Sequence, residues 1–191
     1  NIHDNDLLRA FRIIDQAREE IMLSFFEFIT LAALFLFQEA NCDVVILEAG
    51  LGGRLDTVNI VESDVAVLTS VGLDHTQLLG DTRELIAIEK TSIARAEKPF
   101  ICGEENPPDT IAKTVREKKG ILFQINRDFF YEVTDLSMRC YGKNFDYPHL
   151  PKPHLKPQNV ATAIAIIEAL QPRLIVSSDA IKKGIAATQW P

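Results

Sequence analysis

Apolar side chains recur at helical spacing at the start of the chain, at Leu7, Leu8, Phe11, Ile14, Ala17 and Ile21. They follow Asp4 and Asp6, acids suited to a helix N-terminus, so the first element is predicted to be an amphipathic helix. From Phe25 to Ala40 apolar residues occupy almost every turn all round, the pattern of a helix covered by protein on both sides. The texture then changes. Asp43-Val-Val-Ile-Leu-Glu48 and Asp64-Val-Ala-Val-Leu-Thr-Ser-Val71 are short β-branched runs without alternation, as in strands buried on both faces of a parallel sheet. Lys98-Pro-Phe-Ile-Cys102 and Gly120-Ile-Leu-Phe-Gln-Ile125 predict two more strands, with a helix from about Asp109 to Lys119 between them.

Further on, Phe129–Val133 and Leu136–Tyr141 flank Thr134-Asp135 and read as an antiparallel hairpin. Pro148, Pro151, Pro153 and Pro157 exclude helix until Gln158. Asn159 to Leu170 then forms an Ala/Ile-rich helix, and Ser177-Ser178-Asp179 opens a last one reaching about Thr188. No internal repeat is present. The fold class is α/β, a mostly parallel sheet flanked by helices with a small antiparallel hairpin near 129–141.

With 191 residues, and roughly 150 per domain, the chain makes one domain or slightly more. Hydrophobic residues at 47% and charged residues at 25% exclude a disordered chain. The balance of 20 basic against 27 acidic side chains, a net charge of −7, argues against nucleic-acid binding through the phosphate backbone. The most apolar stretch, Ile21 to Gln38, falls short of the ~20 residues that span a bilayer and carries Glu27, so no membrane association is expected. Cys42, Cys102 and Cys140 are odd in number and far apart, with no Cys-x-x-Cys pair, which fits a reducing cytoplasm. The chain begins at Asn1 without a basic segment ahead of an apolar one, which suggests a piece of a longer protein.

Ligands of open parallel sheets bind beyond the carboxyl ends of the strands. There the first predicted strand ends in Glu48-Ala-Gly-Leu-Gly-Gly-Arg-Leu-Asp56 and the second in Gly72-Leu-Asp-His75. Adjacent strands would present Glu48 and His75 together, with a flexible loop carrying Arg54 and Asp56 alongside. A hard oxygen and a borderline nitrogen donor suit a magnesium or manganese ion that keeps positions open for phosphate oxygens. Taken singly, such residues are more often a surface acid and a hydrogen-bonded core imidazole. Gly50-Leu51-Gly52-Gly53 is not the dinucleotide fingerprint, because Leu55 stands where the third glycine belongs, and no Gly-x-x-x-x-Gly-Lys-[Ser/Thr] phosphate loop occurs. Lys90 on composition alone is a solvated helix lysine, and Asn159 an N-cap or first-turn residue. His3, His149 and His154 have no ligand-spaced partners.

Several blocks carry a resemblance. Phe25-Phe-Glu-Phe-Ile-Thr30, Leu47-Glu-Ala-Gly-Leu-Gly-Gly-Arg-Leu-Asp-Thr-Val-Asn59, Thr69-Ser-Val-Gly-Leu-Asp-His75, Leu79-Gly80, Ile86-Ala-Ile-Glu-Lys90 and Trp190-Pro191 stand in the order and spacing of folylpolyglutamate synthases. The chain resembles the bacterial bifunctional dihydrofolate synthase/folylpolyglutamate synthases of the Mur ligase superfamily over essentially its whole length. The resemblance implies a P-loop-NTPase-like central domain of the Mur ligase type. Residues 1–191 would form an incomplete ATPase domain, with the P-loop upstream and the C-terminal glutamate-binding domain absent, and such a piece should be inactive alone.

By that resemblance Glu48 and His75 are metal ligands. Lys90 is a catalytic lysine carbamylated by carbon dioxide, which turns an ammonium that would repel a cation into an anionic oxygen ligand. Asp56, assigned to catalysis and to substrate binding, lies near the pterin-bearing substrate with Phe26 as a stacking face. Ser24, where relatives often have Thr, and Arg54 join the substrate-binding set, and Asn159 reads the adenine of ATP. The implied reaction is ATP-dependent ligation of L-glutamate to dihydropteroate or a reduced folate through an acyl phosphate, with a divalent cation, in a cytoplasmic monomer. A metal-dependent phosphohydrolase and a non-catalytic folate-binding fragment are the rival readings.

Overall fold

In a computed structural model, which describes residues 2–171 and 173–189, the N-terminal periodicity forms α1 (Asp4–Ala17). The helix stops short of Ile21 because Glu19 turns left-handed, at φ 48°. The Arg18 guanidinium holds that turn, donating to Asp15 and, at 3.2 Å, to the Ile21 carbonyl. The second periodic run forms α2 (Phe25–Ala40). A capping box starts it, with the Ser24 hydroxyl accepting from the Glu27 amide at 3.3 Å and the Glu27 carboxylate accepting from the Ser24 amide at 2.7 Å. Asn41, left-handed at φ 48°, ends it.

The chain divides into two compact units, Asn1–Leu51 with Leu55–Val61 and Gly52–Arg54 with Glu62–Pro191. In the first, Ala32 and Leu36 of α2 close on Ala10 of α1, with Phe11, Ile14 and Phe35 around them. Arg9 clamps Glu39 at 2.6 and 2.8 Å across the pair. Within this unit α1 covers one face of α2 and the turn Thr57–Ile60 lies against it as well, while Phe25 stays 80% exposed. Nor does the run 43–48 form the predicted strand. A strand persists where a neighbour takes up its main-chain groups; among the described residues none pairs with this run, and Val44, Val45 and Ile46 are exposed.

The second unit carries the α/β layer in the order β1 (Ala66–Leu68), α3 (Thr76–Leu79), α4 (Arg83–Thr91), β2 (Pro99–Cys102), α5 (Asp109–Glu117), β3 (Ile121–Gln124). The three strands are parallel in the order β1-β2-β3, with Val67 opposite Ile101 and Ile101 opposite Phe123. The central strand is buried on both faces, which explains its unbroken apolar run. Phe100 and Cys102 pack with Ile86, Ala87, Ile111 and Val115. Ile101 joins Phe129, Met138, Cys140, Leu150 and Ile164 in a second core. Edge strand β3 departs from the expected burial, leaving Ile121 and Phe123 exposed.

The predicted hairpin, β4 (Phe129–Val133) and β5 (Ser137–Gly142), is extended by β6 (Asp146–Pro151) into a three-stranded antiparallel sheet. Strand β6 runs into the stretch where prolines exclude helix. Pro148 and Pro151 are tolerated because β6 occupies an edge, and Leu150 supplies the buried anchor. Helices α6 (Pro157–Leu170) and α7 (Ser178–Ala187) complete the unit. Trp190-Pro191 lies outside the described residues.

Candidate active site

The glycine-rich loop was expected to be flexible, and its hydrogen bonds hold it. Asp56 Oδ2 accepts from the amides of Gly50 at 2.9 Å and Leu51 at 3.2 Å, and Oδ1 from Val58 at 3.0 Å. The carboxylate thus folds the loop back and caps the 3-10 turn Thr57–Ile60. A Cβ on Gly50 would lie 3.7 Å from Asp56 Oδ2 and 3.9 Å from Phe26 Cζ, so Phe26, Gly50 and Asp56 meet at one place. Phe26 is partly exposed there, at 41%, and available to an aromatic ligand. Ser24 sits just ahead, its hydroxyl engaged in the α2 cap.

The middle of the loop, residues 52–54 in the second unit, is pressed onto α4. Arg54 donates its amide to the Glu89 carbonyl at 3.1 Å, and its Nε lies 3.0 and 3.1 Å from the two Glu89 carboxylate oxygens. Gly52 takes φ +67°, an angle that favours glycine, and a Cβ there would press on Leu79 Cδ2 at 2.9 Å. Residues 52–54 are therefore registered against the helical turn that carries Lys90. Sequence reasoning gave Glu89 no role, and nothing local marks it: its partner is 35 residues away.

His75 occupies a left-handed turn, φ 50° and ψ 37°, immediately before α3, and its carbonyl accepts from Leu78 and Leu79 at 2.9 and 3.0 Å. Asp74 fixes the approach, accepting from the His75 amide at 2.8 Å, while its other oxygen stands 3.6 Å from Nε2. The imidazole is 55% exposed. Lys90, in the last turn of α4, is partly buried, and Glu48 in the first unit is exposed. Among the described residues no three His, Cys, Asp or Glu side chains cluster closely enough to share a metal ion. The strand expected to end in Glu48 is not formed among the described residues, since that run has no ladder. The donor set nonetheless fits a hard divalent cation, with a carboxylate and an imidazole reachable from solvent and a lysine able to become an oxygen donor by carbamylation.

Asn159 is the third residue of α6, which starts at Pro157, so it lies in the first turn rather than at the cap. Beside it, Gln158 Nε2 donates to the Gly103 carbonyl and ties the helix start to the end of β2. A Cβ on Gly103 would collide with Thr162, so α6 seats directly on that glycine. No described helix is long and apolar enough to cross a membrane. Cys102 and Cys140 are buried and Cys42 exposed, all as free thiols.

No family model matches the chain. It is 47% identical over 182 residues to the dihydrofolate synthase/folylpolyglutamate synthase of Escherichia coli strain K12, covering 95% of this chain and 43% of that protein. The chain is a relative of the dihydrofolate synthase/folylpolyglutamate synthases over nearly its whole length. Among solved structures it is similar to E. coli FolC in complex with DHPP and ADP, with a TM-score of 0.96 at 44% identity over 100% of this chain and 46% of that one. It is also similar to a Yersinia pestis bifunctional folylpolyglutamate synthase/dihydrofolate synthase complexed with AMPPNP and Mn ion, with a TM-score of 0.93 at 38% identity over 100% and 46% of the two chains. The α/β fold with its separate antiparallel sheet is the one these family members share. The chain spans less than half the length of the curated relatives it matches.

Proposed function

We propose that the protein to which this chain belongs is an ATP-dependent ligase joining L-glutamate to dihydropteroate, to reduced folates, or to both. The observation that supports this most is the likeness to the FolC complex, held across the whole chain. In the proposed reaction the γ-phosphate of ATP passes to a substrate carboxylate, and the glutamate amine displaces phosphate from the acyl phosphate to form the amide. Such chemistry rests on positioning and charge neutralisation. A bound magnesium or manganese ion would supply neutralisation of phosphate and acyl oxygens, with Glu48, His75 and carbamylated Lys90 as its ligands.

The chain's own residues would do the rest. Phe26 offers a ring face to the pterin, and Asp56 keeps the loop beside that ring folded. Arg54, anchored on Glu89, fixes the loop against α4 and stands where an anionic substrate can be oriented. Ser24 holds the start of α2, and with it Phe26, in place, while Asn159 in the first turn of α6 reads adenine. Residues 1–191 would constitute the central part of an ATPase domain, inactive alone, in a cytoplasmic and monomeric enzyme.

The test is ATP-dependent phosphate release by the full-length protein, offered dihydropteroate and then tetrahydrofolate, each with and without L-glutamate. Release requiring both a pterin and glutamate is expected. Glutamate-independent release would replace the ligase by a phosphohydrolase, and binding without turnover by a folate-binding protein. With 13C-bicarbonate, a carbamate resonance lost in Lys90→Arg checks the lysine's modification.

A further inference from the structure

Strands β1 and β2 separate after Gly103, whose amide still donates to the Leu68 carbonyl at 2.8 Å. Beyond that point side chains hold the two segments. Glu104 Oε2 accepts from the Val71 amide at 2.7 Å and Oε1 from the Asn106 amide at 3.0 Å. Arg83, at the start of α4, donates from Nε to the Val71 carbonyl and from Nη2 to the Asn106 carbonyl, each at 3.0 Å. Its Nη2 also lies 3.2 Å from Glu104 Oε1. One ion pair therefore takes up both main-chain groups of Val71 and both of Asn106, as a neighbouring strand would.

That arrangement is costly unless complete. Glu104 is only 9% exposed, and a carboxylate so placed is tolerated only when paired and hydrogen-bonded. What it secures is the last buried residue before the metal-ligand candidate. Val71 is buried, whereas Gly72, Leu73, Asp74 and His75 after it are all exposed, and a Cβ on Gly72 would touch nothing within 4 Å. The direction in which the chain leaves Val71 therefore helps to set where the imidazole stands, together with the Asp74 turn and the bonds of the His75 carbonyl to Leu78 and Leu79.

We propose that Glu104 and Arg83 are positioning residues for His75, setting the path of the Val71–His75 segment and thereby the protein's affinity for a divalent cation. The inference rests on the metal role proposed for His75. Groups that orient metal ligands from behind typically affect affinity strongly.

The test titrates Mn2+ into the full-length protein with a non-hydrolysable ATP analogue, followed by electron paramagnetic resonance, for wild type, His75→Ala, Glu104→Gln and Arg83→Lys. In Glu104→Gln an amide N–H faces a donor, because both carboxylate oxygens accept. Arg83→Lys keeps the charge and loses the planar fork. Glu104→Gln should weaken Mn2+ binding roughly tenfold, and Arg83→Lys should weaken it less. In turnover assays the KM for Mn2+ should rise while kcat at saturating metal is retained. Unchanged Mn2+ affinity in the folded variants, with binding weakened in His75→Ala, overturns the positioning role and leaves the metal reading standing. Lower melting temperatures with unchanged affinity, or failure of both variants to fold, overturn it too, since the pair would then serve stability. If His75→Ala binds Mn2+ as wild type does, the metal reading itself fails and the positioning role with it.

Discussion

Gly53 lies so close to the last turn of α4 that a Cβ on it would stand 3.1 Å from the main-chain carbonyl oxygen of Lys90. The same atom would be 2.8 Å from Ile93 Cγ2 and 3.1 Å from the Glu89 carbonyl. The contact joins the glycine loop directly to the turn bearing the lysine proposed for carbamylation.

Gly53→Ala should therefore destabilise the protein by about 1–3 kcal/mol, because two of the atoms it meets are backbone and cannot rotate away. Gly184→Ala provides the contrast. It lies inside α7 with nothing within 4 Å of its Cβ, so it should gain about 0.5–1 kcal/mol from helix propensity. Urea unfolding of the full-length protein measures both, and equal effects of the two substitutions would contradict the close approach.

Thiol reactivity should separate the three cysteines. Burial pushes the Cys140 thiol up to about 12, with Glu168 and Asp146 adding to the shift. Burial likewise raises Cys102. A thiol held protonated and out of solvent is a poor nucleophile. With the full-length protein and an aromatic disulfide reagent, peptide mapping should find Cys42 labelled quickly, and Cys102 and Cys140 only after unfolding. Fast labelling of Cys140 in the native protein would show that the second core opens.

How far the sequence disclosed the molecule depended on where the determining contacts lie. Helix α2 was legible to the residue because its signals are local, with Ser24 and Glu27 at one end and the apolar run between. Strands β1, β2 and β3 were legible because a parallel strand reads as a short apolar run, although β1 proved shorter than its run. Strand β6 was not, because prolines mask an edge strand whose identity depends on pairing with β5. The run 43–48 failed in the opposite sense: it has strand composition, but a ladder also needs a neighbour. Within the candidate site Phe26 and Asp56 meet at Gly50 although far apart in the chain, a closeness no local pattern announces. Glu89, Glu104 and Arg83 escaped notice because each acts on residues remote in the chain.

The capping box of α2 should titrate. The Ser24 amide, and then its hydroxyl, hold the Glu27 carboxyl below its ordinary value of 4.5. A carboxylate lowered on folding contributes stability that is present above the unfolded value and is lost as pH falls through the folded one. The stability difference between wild type and Glu27→Gln should therefore favour wild type at neutral pH and shrink below about pH 4.5. Chemical denaturation across that range checks it, and a difference constant with pH would mean that the carboxylate charge plays no part in the cap.

Thr91 follows Lys90 directly, and its side chain is fully buried with no hydrogen-bond partner for Oγ1. A buried hydroxyl left unpaired costs about 1–3 kcal/mol, whereas a methyl of similar size in the same space costs nothing of the kind. Thr91→Val should accordingly stabilise the protein, raising the melting temperature of the full-length protein by about 2 °C, with the proposed ligase activity unaltered. The rival expectation is a buried water bridging Oγ1 to another polar group, as such groups commonly recruit. Thr91→Val would then lower the melting temperature, and loss of activity beside unchanged stability would instead tie the hydroxyl to the role proposed for its neighbour Lys90.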